Sequence, residues 1–333
     1  MGAVLAAAVV LSATACVSRD DATATVADGT VDLAELRGLT LRVGDQKGGT
    51  ETLLRSAGQL DGLPFAVEFS TFTSGPPQIE AATAGKIDFA VTGNTPPIFG
   101  AASNAKVRLV SAYSNDAAGD AIVVRGAGGP ASVADLRGKK VAVAKGSSAH
   151  GNLLLQLKKA GLELGEDVEP VFLQPADAQS AFVSGAVAAW AIWDPYTALI
   201  QLDPTVRTIA VGTGLLNGYG FGIASIEALA DAKRNTAVRE LVVRIAKANK
   251  WARSHRAEWA ARYAAAIAID PGAAKAAEDR SRRVAIELTD TVAASEQELT
   301  DAFVAAGQIQ GAPRIADFID RRYNDAVRPF AGD

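Results

Sequence analysis

The chain has 333 residues, of which 49% are hydrophobic, 21% charged and 6% aromatic, with 33 basic against 37 acidic side chains. This composition indicates a folded protein of about two domains, and its net charge of −4 gives no electrostatic reason to expect a nucleic-acid partner. One cysteine, Cys16, and two histidines exclude an intrachain disulfide and leave too few ligands for a Cys- or His-based metal centre, so neither a metal nor a cofactor is expected.

The N-terminal residues 1–15 predict an export signal. They are mainly Ala, Val and Leu, the run is too short to cross a bilayer, and small residues stand directly before Cys16. These features resemble the lipobox of bacterial lipoproteins, in which the cysteine is acylated and the preceding peptide is removed. The resemblance predicts a lipoprotein signal peptide and a lipid anchor at Cys16, on the outer face of the cytoplasmic membrane. The alternative is an ordinary signal peptide with a chance cysteine.

Residues 16–39 are predicted to be a tether, and strands alternate with helices after it. Short apolar runs predict strands at 41–44, 65–69, 87–91, 107–110, 121–124, 141–144, 168–173, 188–192 and 208–211. Beyond Ser225 the sequence is mostly helical. The alternation predicts an α/β fold with mostly parallel, doubly wound sheets flanked by helices.

Three strand-to-helix turns combine glycine with amide or hydroxyl side chains. They contain Gln46, Lys47 and Gly48; Thr92, Gly93, Asn94 and Thr95; and Gly146, Ser147 and Ser148. Glycine permits close approach to the backbone, and the first-turn amides and the dipole of a helix favour a bound anion. Such turns meet outside the carboxyl ends of the strands in an open α/β sheet. We therefore expect one shared anion site, and neither nucleotide-binding fingerprint is present.

Four segments occur in an order typical of one family. They are 41–48, 92–97, 145–150 and 189–196. Together they resemble the substrate-binding proteins of aliphatic sulfonate ABC importers, within the wider nitrate, sulfonate and taurine group. The resemblance implies a type II-like periplasmic-binding-protein fold whose two lobes close on a small organic anion and deliver it to the permease subunits.

The resemblance also implies how the chain is divided. Lobe 1 is expected to contain residues 40–124 and 225–333, and lobe 2 residues 125–224. Two glycine-rich stretches, at 125–130 and 218–222, are candidates for the crossings between the lobes.

Residue roles follow from the three turns and the family pattern. Neutral donors predicted to hold the sulfonate oxygens are Gln46, Thr92, Asn94, Ser147 and Ser148, with backbone amides near Gly48, Gly93 and Gly146 and with Thr95 beside them. Lys47 is a candidate counter-charge, and His150 is predicted to lie at a helix N-terminus, either next to the ligand or behind the residues that bind it. Trp193 and Tyr219 are candidates for an aromatic wall, whereas strand alternation favours the core for Trp190.

Two residues, Asp45 and Asn94, and the short stretch 219–221 depart from the pattern of the family that this sequence resembles. Asp45 stands where an aromatic residue is common, and Asn94 replaces the usual Asp. Together with Glu51 and Asp194, Asp45 suggests a ligand that carries an amine beside its acid group. The alternative role for Asp194 is that its side chain caps the following turn, before Pro195.

Other functions are also compatible with the sequence. Related binders take nitrate, taurine, a sulfate ester or a pyrimidine precursor. Desulfinases resemble the same group but act through a cysteine nucleophile, and Cys16 lies in the leader. The sequence therefore favours a binding protein over an enzyme.

Overall fold

The computed structural model describes residues 29–332, which form two α/β lobes. The strands are β1 Thr40–Gln46, β2 Ala66–Phe72, β3 Phe89–Gly93, β4 Val107–Ser114, β5 Ala121–Arg125, β6 Lys140–Val143, β7 Glu169–Phe172, β8 Ala189–Ile192, β9 Val206–Val211, β10 Tyr219–Ser225 and β11 Val284–Ile286. The helices are α1 Thr50–Ser56, α2 Gly75–Thr83, α3 Thr95–Ala102, α4 Ser148–Lys159, α5 Pro175–Ser184, α6 Tyr196–Ile200, α7 Ile226–Ala230, α8 Ala232–Ser254, α9 Arg256–Ile267, α10 Pro271–Arg280, α11 Asp290–Ala305 and α12 Asn324–Val327. Within the described part, no helix is both long and apolar enough to span a membrane.

Both sheets are mixed, which corrects the prediction of mostly parallel sheets. The first has the order β11-β4-β10-β3-β1-β2, and the second has the order β7-β6-β8-β5-β9. β1 runs parallel to β2 and β3, and β6 runs parallel to β7 and β8. β10 and β5, however, are each antiparallel to both of their neighbours. Each is the first strand that the chain forms after it crosses from the other sheet, so it starts at the cleft, where its neighbours end.

The crossings between the sheets lie at residues 115–120 and 212–218. β4 belongs to the first sheet and β5 to the second, while β9 belongs to the second and β10 to the first. The predicted crossings at 125–130 and 218–222, and the lobe boundaries drawn with them, are therefore displaced. Strand β5 is hydrogen bonded to β8 and β9 of the second lobe, and β10 occupies the middle of the first sheet.

Lobe 1 begins before residue 40. The backbone amide of Val31 donates to the Thr236 hydroxyl at 3.0 Å. Leu36, in the short 3₁₀ helix Leu33–Leu36, is fully buried in the core that contains Leu41 and Leu241. The last part of the predicted tether at 16–39 therefore packs on the lobe, because an apolar side chain there gains by leaving water. The predicted signal peptide and Cys16 lie outside the described residues.

Candidate functional site

A cavity of about 140 Å³ lies between the lobes, where β1, β3, β6 and β8 end. Eleven of the predicted site residues line it: Gln46, Lys47, Gly48, Thr92, Gly93, Asn94, Ser147, Ser148, Trp193, Asp194 and Tyr219. Both crossings contribute to the lining as well, through Asp120 and Gly218. The carboxyl ends of the two sheets thus face one another across a shared cleft, as the three-turn pattern predicts.

The first turn is held from within by Asp45. Its carboxylate accepts hydrogen bonds from the backbone amides of Thr50 and Glu51 at 2.7 and 3.0 Å. Burial raises the pKa of Asp45 to about 6, although these amides favour the charged form. Asp45 therefore caps α1, and its carboxylate already has hydrogen-bond partners within the chain. This disagrees with the interpretation that Asp45 binds an amine of the ligand.

The second turn is fixed from behind by a chain of polar side chains. Asn94 Nδ2 donates to Asn217 Oδ1 at 2.7 Å, and Asn217 Nδ2 donates to Glu296 Oε2 at 2.7 Å. Glu296 is fully buried, and burial raises its pKa to about 8. Thr95 is also fully buried and donates to Asn94 Oδ1 at 3.0 Å. Thr95 is not among the cavity-lining residues, so it supports Asn94 instead of facing the cleft.

The third turn places its hydroxyl groups in internal hydrogen bonds. Ser147 donates to the carbonyl oxygen of Ala144 at 2.7 Å and caps α4 by accepting from the amide of His150. Ser148 donates to Asp120 Oδ1 at 2.6 Å. Both serines line the cleft, but their hydroxyl protons point at acceptors of this chain.

His150 is a core residue, which corrects its prediction as a ligand-binding group, but its Nδ1 accepts a hydrogen bond from the amide of Gly146 at 3.1 Å and so supports the third turn from behind. It is fully buried and is not among the cavity-lining residues. The rings of Phe99, Phe172 and Phe303 surround it with centroids 5.1–5.8 Å away. Burial lowers its pKa to about 3, with the charge of Lys145 adding to the effect, so the imidazole is neutral. The helix N-terminus places its backbone near the site while its side chain points into the aromatic core.

Two aromatic residues form one wall of the cleft. Trp193 lines it and lies 6.0 Å from the Tyr196 ring at a right angle, and Tyr219 lines the cleft as well. Trp190 is 1% exposed and belongs to the core of lobe 2 with Phe182. Trp193 in the cleft and Trp190 in the core agree with the alternation argument.

Asp194 joins the two lobes. Its carboxylate forms a bidentate ion pair with Arg280 at the end of α10, with Nε and Nη2 at 3.0 and 2.8 Å. It also accepts from the amide of Ala198 at 3.1 Å, which matches the predicted capping role. Beside this pair, Ala198 of α6 packs on Ala273 and Ala277 of α10. Asp194 thus belongs to a contact between lobes and is not available to a ligand amine.

The sequence reasoning missed Arg283, a cation in the cleft. Its guanidinium lies 5.7 Å from the ring centroid of Tyr113, and within the described residues its buried Nε has no hydrogen-bond partner. Burial opposes its charge, but the charges around it, including those of Glu278 and Asp45, raise its pKa. No local sequence pattern identifies Arg283 as a site residue. It lies just before β11, in a mostly helical part of the sequence that contains no motif.

Replacing Gly48 by alanine is expected to destabilise the protein and weaken binding. Gly48 has φ +71°, and a Cβ would lie 2.5 Å from Cε2 of Tyr263. We expect a loss of about 2 kcal/mol or more in the free energy of unfolding. The cost of a left-handed backbone for alanine and the cost of the clash with Tyr263 add together. Gly62→Ala is the matched control, since it has φ +67° and no atom near the added Cβ. Equal thermal unfolding shifts for both variants would show that the approach of Tyr263 has no effect.

Two α/β lobes joined by two crossings, with a polar cleft at the facing ends of their sheets, define a periplasmic-binding-protein fold. A family described as ABC transporter, phosphonate, periplasmic substrate-binding protein matches residues 60–212. A relative from Escherichia coli (strain K12), whose name refers to the binding of aliphatic sulfonates, is 35% identical over 268 residues, or 79% of this chain and 83% of the relative.

Two solved structures add to this comparison. The alkanesulfonate-binding protein SsuA from Xanthomonas axonopodis pv. citri, bound to MOPS, is 30% identical with a TM-score of 0.77, over 86% of this chain and 99% of that one. The chain belongs to the family of aliphatic sulfonate-binding proteins, which are periplasmic substrate-binding proteins of ABC importers. The desulfurization enzyme DSZB is 16% identical with a TM-score of 0.61, over 87% of this chain and 99% of that one, and shares the fold.

Proposed function

We propose that the cleft binds the sulfonate group of a small organic anion, with Arg283 as the charged anchor. The observation that carries this proposal is a guanidinium that lines the cleft while its buried Nε lacks a hydrogen-bond partner among the described residues. A buried donor without an acceptor is costly, and a planar guanidinium matches the paired oxygens of an oxyanion. A bound sulfonate supplies both the negative charge and the missing acceptors.

Further donors come from the three turns. At the start of α4, where Ser147 and Ser148 line the cleft, the first-turn amides and the helix dipole favour an anion, whereas Pro96 and Pro97 have no amide hydrogen to offer in the first turn of α3. Gln46 lines the same cavity, and Thr92 lines it as well, although its hydroxyl donates to the carbonyl oxygen of Gly93 at 3.1 Å. The hydroxyls of both serines already donate within the chain, and the amide of Ser147 donates to the carbonyl oxygen of Ala144 at 3.1 Å, so the backbone amide of Ser148 is the better donor to a ligand. The aromatic wall of Trp193 and Tyr219 suits the organic part of the ligand.

The ligand is bound and released unchanged in this proposal. A sulfonate stays ionised at biological pH, so the cleft needs donors and no titrating base. The desulfinase mechanism implied by the resemblance needs a thiol, and Cys16 is the only cysteine of the chain. No cysteine stands among the residues that line the described cavity.

The cellular setting completes the proposal. The protein is exported, the acylated Cys16 anchors it to the outer face of the cytoplasmic membrane, and the lobes deliver the ligand to the permease subunits. The small-residue segment before Cys16 supports the anchor. Globomycin, which blocks lipoprotein signal cleavage, is expected to cause accumulation of the precursor, and Cys16→Ala is expected to release the protein from the membrane fraction.

Calorimetry with a ligand panel tests the function. We expect alkanesulfonates or aminosulfonates to bind, and nitrate, methylphosphonate and alkyl sulfates to bind at least tenfold more weakly. The purified protein should also release no sulfite from these compounds. Binding of nitrate or of methylphosphonate alone would contradict the proposal, and sulfite release would show an enzyme. Thermal shift gives an independent readout, because a ligand at a hundredfold excess over Kd stabilises by about 2.7 kcal/mol.

A further inference from the structure

The cleft carries more negative than positive charge, although the proposed ligand has an anionic group. Four carboxylates line the described cavity, against two cations: Asp45, Asp120, Asp194 and Glu278 against Lys47 and Arg283. A ligand with a single negative charge adds to this imbalance, whereas a ligand that also carries a positive charge does not. A preference for a zwitterion then depends on a carboxylate that has no compensating partner.

Three of the four carboxylates already have partners. Asp45 accepts from two amides at the start of α1, and Asp194 forms its bidentate pair with Arg280. Glu278 Oε2 accepts a hydrogen bond from Trp259 Nε1 at 2.5 Å, and the charge of Arg283 acts on it. These groups are compensated without a ligand.

Asp120 differs from the other three. It is 7% exposed, it lines the cleft at the end of the first crossing, and no cation is paired with it in the described part of the chain. Its one side-chain hydrogen bond comes from the neutral hydroxyl of Ser148. The other groups that face it are Asp194, which repels it, and Tyr113. Burial raises the pKa of Asp120 to about 7, so a nearby cation would strongly favour its charged form.

We propose that the cleft selects aminosulfonates, with the sulfonate at Arg283 and the ammonium group held by Asp120. This inference rests on the sulfonate binding proposed above and names its substrate class. Asp120, Arg283 and Tyr113 line the same cavity, and the Arg283 guanidinium is 5.7 Å from the Tyr113 ring centroid. The volume of this cavity, about 140 Å³, suits a small ligand with a short aliphatic spacer.

The test compares two ligands of equal chain length. Taurine (2-aminoethanesulfonate) carries the ammonium group and ethanesulfonate does not. We expect taurine to bind at least tenfold more tightly at pH 8. Its affinity should rise roughly tenfold between pH 5.5 and pH 8, because the ammonium group prefers ionised Asp120. Ethanesulfonate should show the opposite trend, since its binding prefers the protonated carboxyl.

Two variants complete the experiment. Asp120→Asn is expected to remove the preference for taurine and the pH dependence of both ligands. Asp116→Asn is the matched control, because it removes an exposed carboxylate from the same crossing, outside the cavity lining. Ethanesulfonate binding as tightly as taurine at every pH would overturn the inference and leave the proposed function intact. Failure of both ligands and of the wider sulfonate panel would instead overturn the proposed function. The comparison of taurine with ethanesulfonate uses the unmodified protein, so it decides even if Asp120→Asn does not fold.

Discussion

Arg283→Met is expected to lower sulfonate affinity by a factor of about 100 or more. The substitution keeps an unbranched apolar stem and removes the positively charged guanidinium that lies beside Tyr113 in the cleft. A guanidinium forms two hydrogen bonds to an oxyanion, each contributing about 1.5–3 kcal/mol, and a loss of about 3 kcal/mol corresponds to at least a hundredfold change in Kd. Isothermal titration calorimetry of the variant with the best ligand of the panel measures the effect.

Arg282→Met is the matched control for this prediction. Arg282 is the preceding residue, its side chain is exposed, and it is absent from the lining of the cleft. Its replacement changes the net charge by the same amount, so long-range electrostatic effects are equal. We expect its Kd to stay within a factor of about two. Similar losses for both variants would remove Arg283 from the role of anchor.

Arg280→Met is expected to weaken ligand binding by about tenfold and to lower stability. The variant leaves Asp194, whose side chain is 10% exposed, without the cation that reaches it from the other lobe. Breaking a largely buried pair costs about 3 kcal/mol or more, and partial exposure of Arg280 reduces this to about 2 kcal/mol. Because the pair joins the lobes, its loss lowers the population of the arrangement in which both lobes touch the ligand.

Calorimetry and small-angle X-ray scattering together test this expectation. The radius of gyration of the ligand-free variant should increase, and saturating ligand should reverse the increase. Arg256→Met is the control, since Arg256 pairs with Asp279 at 2.9 Å within lobe 1 alone. An Arg280→Met protein with unaltered affinity and unaltered scattering would show that the pair does not hold the lobes together.

Local patterns predicted the elements that form the site. The turns after β1, β3 and β6 end at one cleft, as the glycine and hydroxyl residues around Gly48, Gly93 and Ser147 indicate. Local chemistry determines where a strand ends and a helix begins, so these positions are readable from sequence. Trp193 was placed in the cleft by the same kind of argument, from the alternation of side chains along β8.

The remaining features depend on contacts that are distant in the chain. The glycine-rich sequence of β10 favours the interpretation of a hinge. In the structure, however, Gly220 and Gly222 occur there because Tyr113 and Phe89 occupy the space beside the strand. Arg283 and Asp120 line the same cleft only because β11 and the first crossing meet around Tyr113. Only the fold could show that His150 enters an aromatic core and that Asp194 is already paired.

The contact between α6 and α10 joins the two lobes beside the cleft. Apart from the ion pair, it is formed mainly by Ala198, Ala273 and Ala277. Methyl groups do not interlock as long side chains do, so the two surfaces can part without rotamer changes. Arg280 pairs with Asp194 and also donates from Nη1 to Gln201 Oε1 at 3.2 Å, so a docking protein that competes for Arg280 disrupts both bonds of this contact.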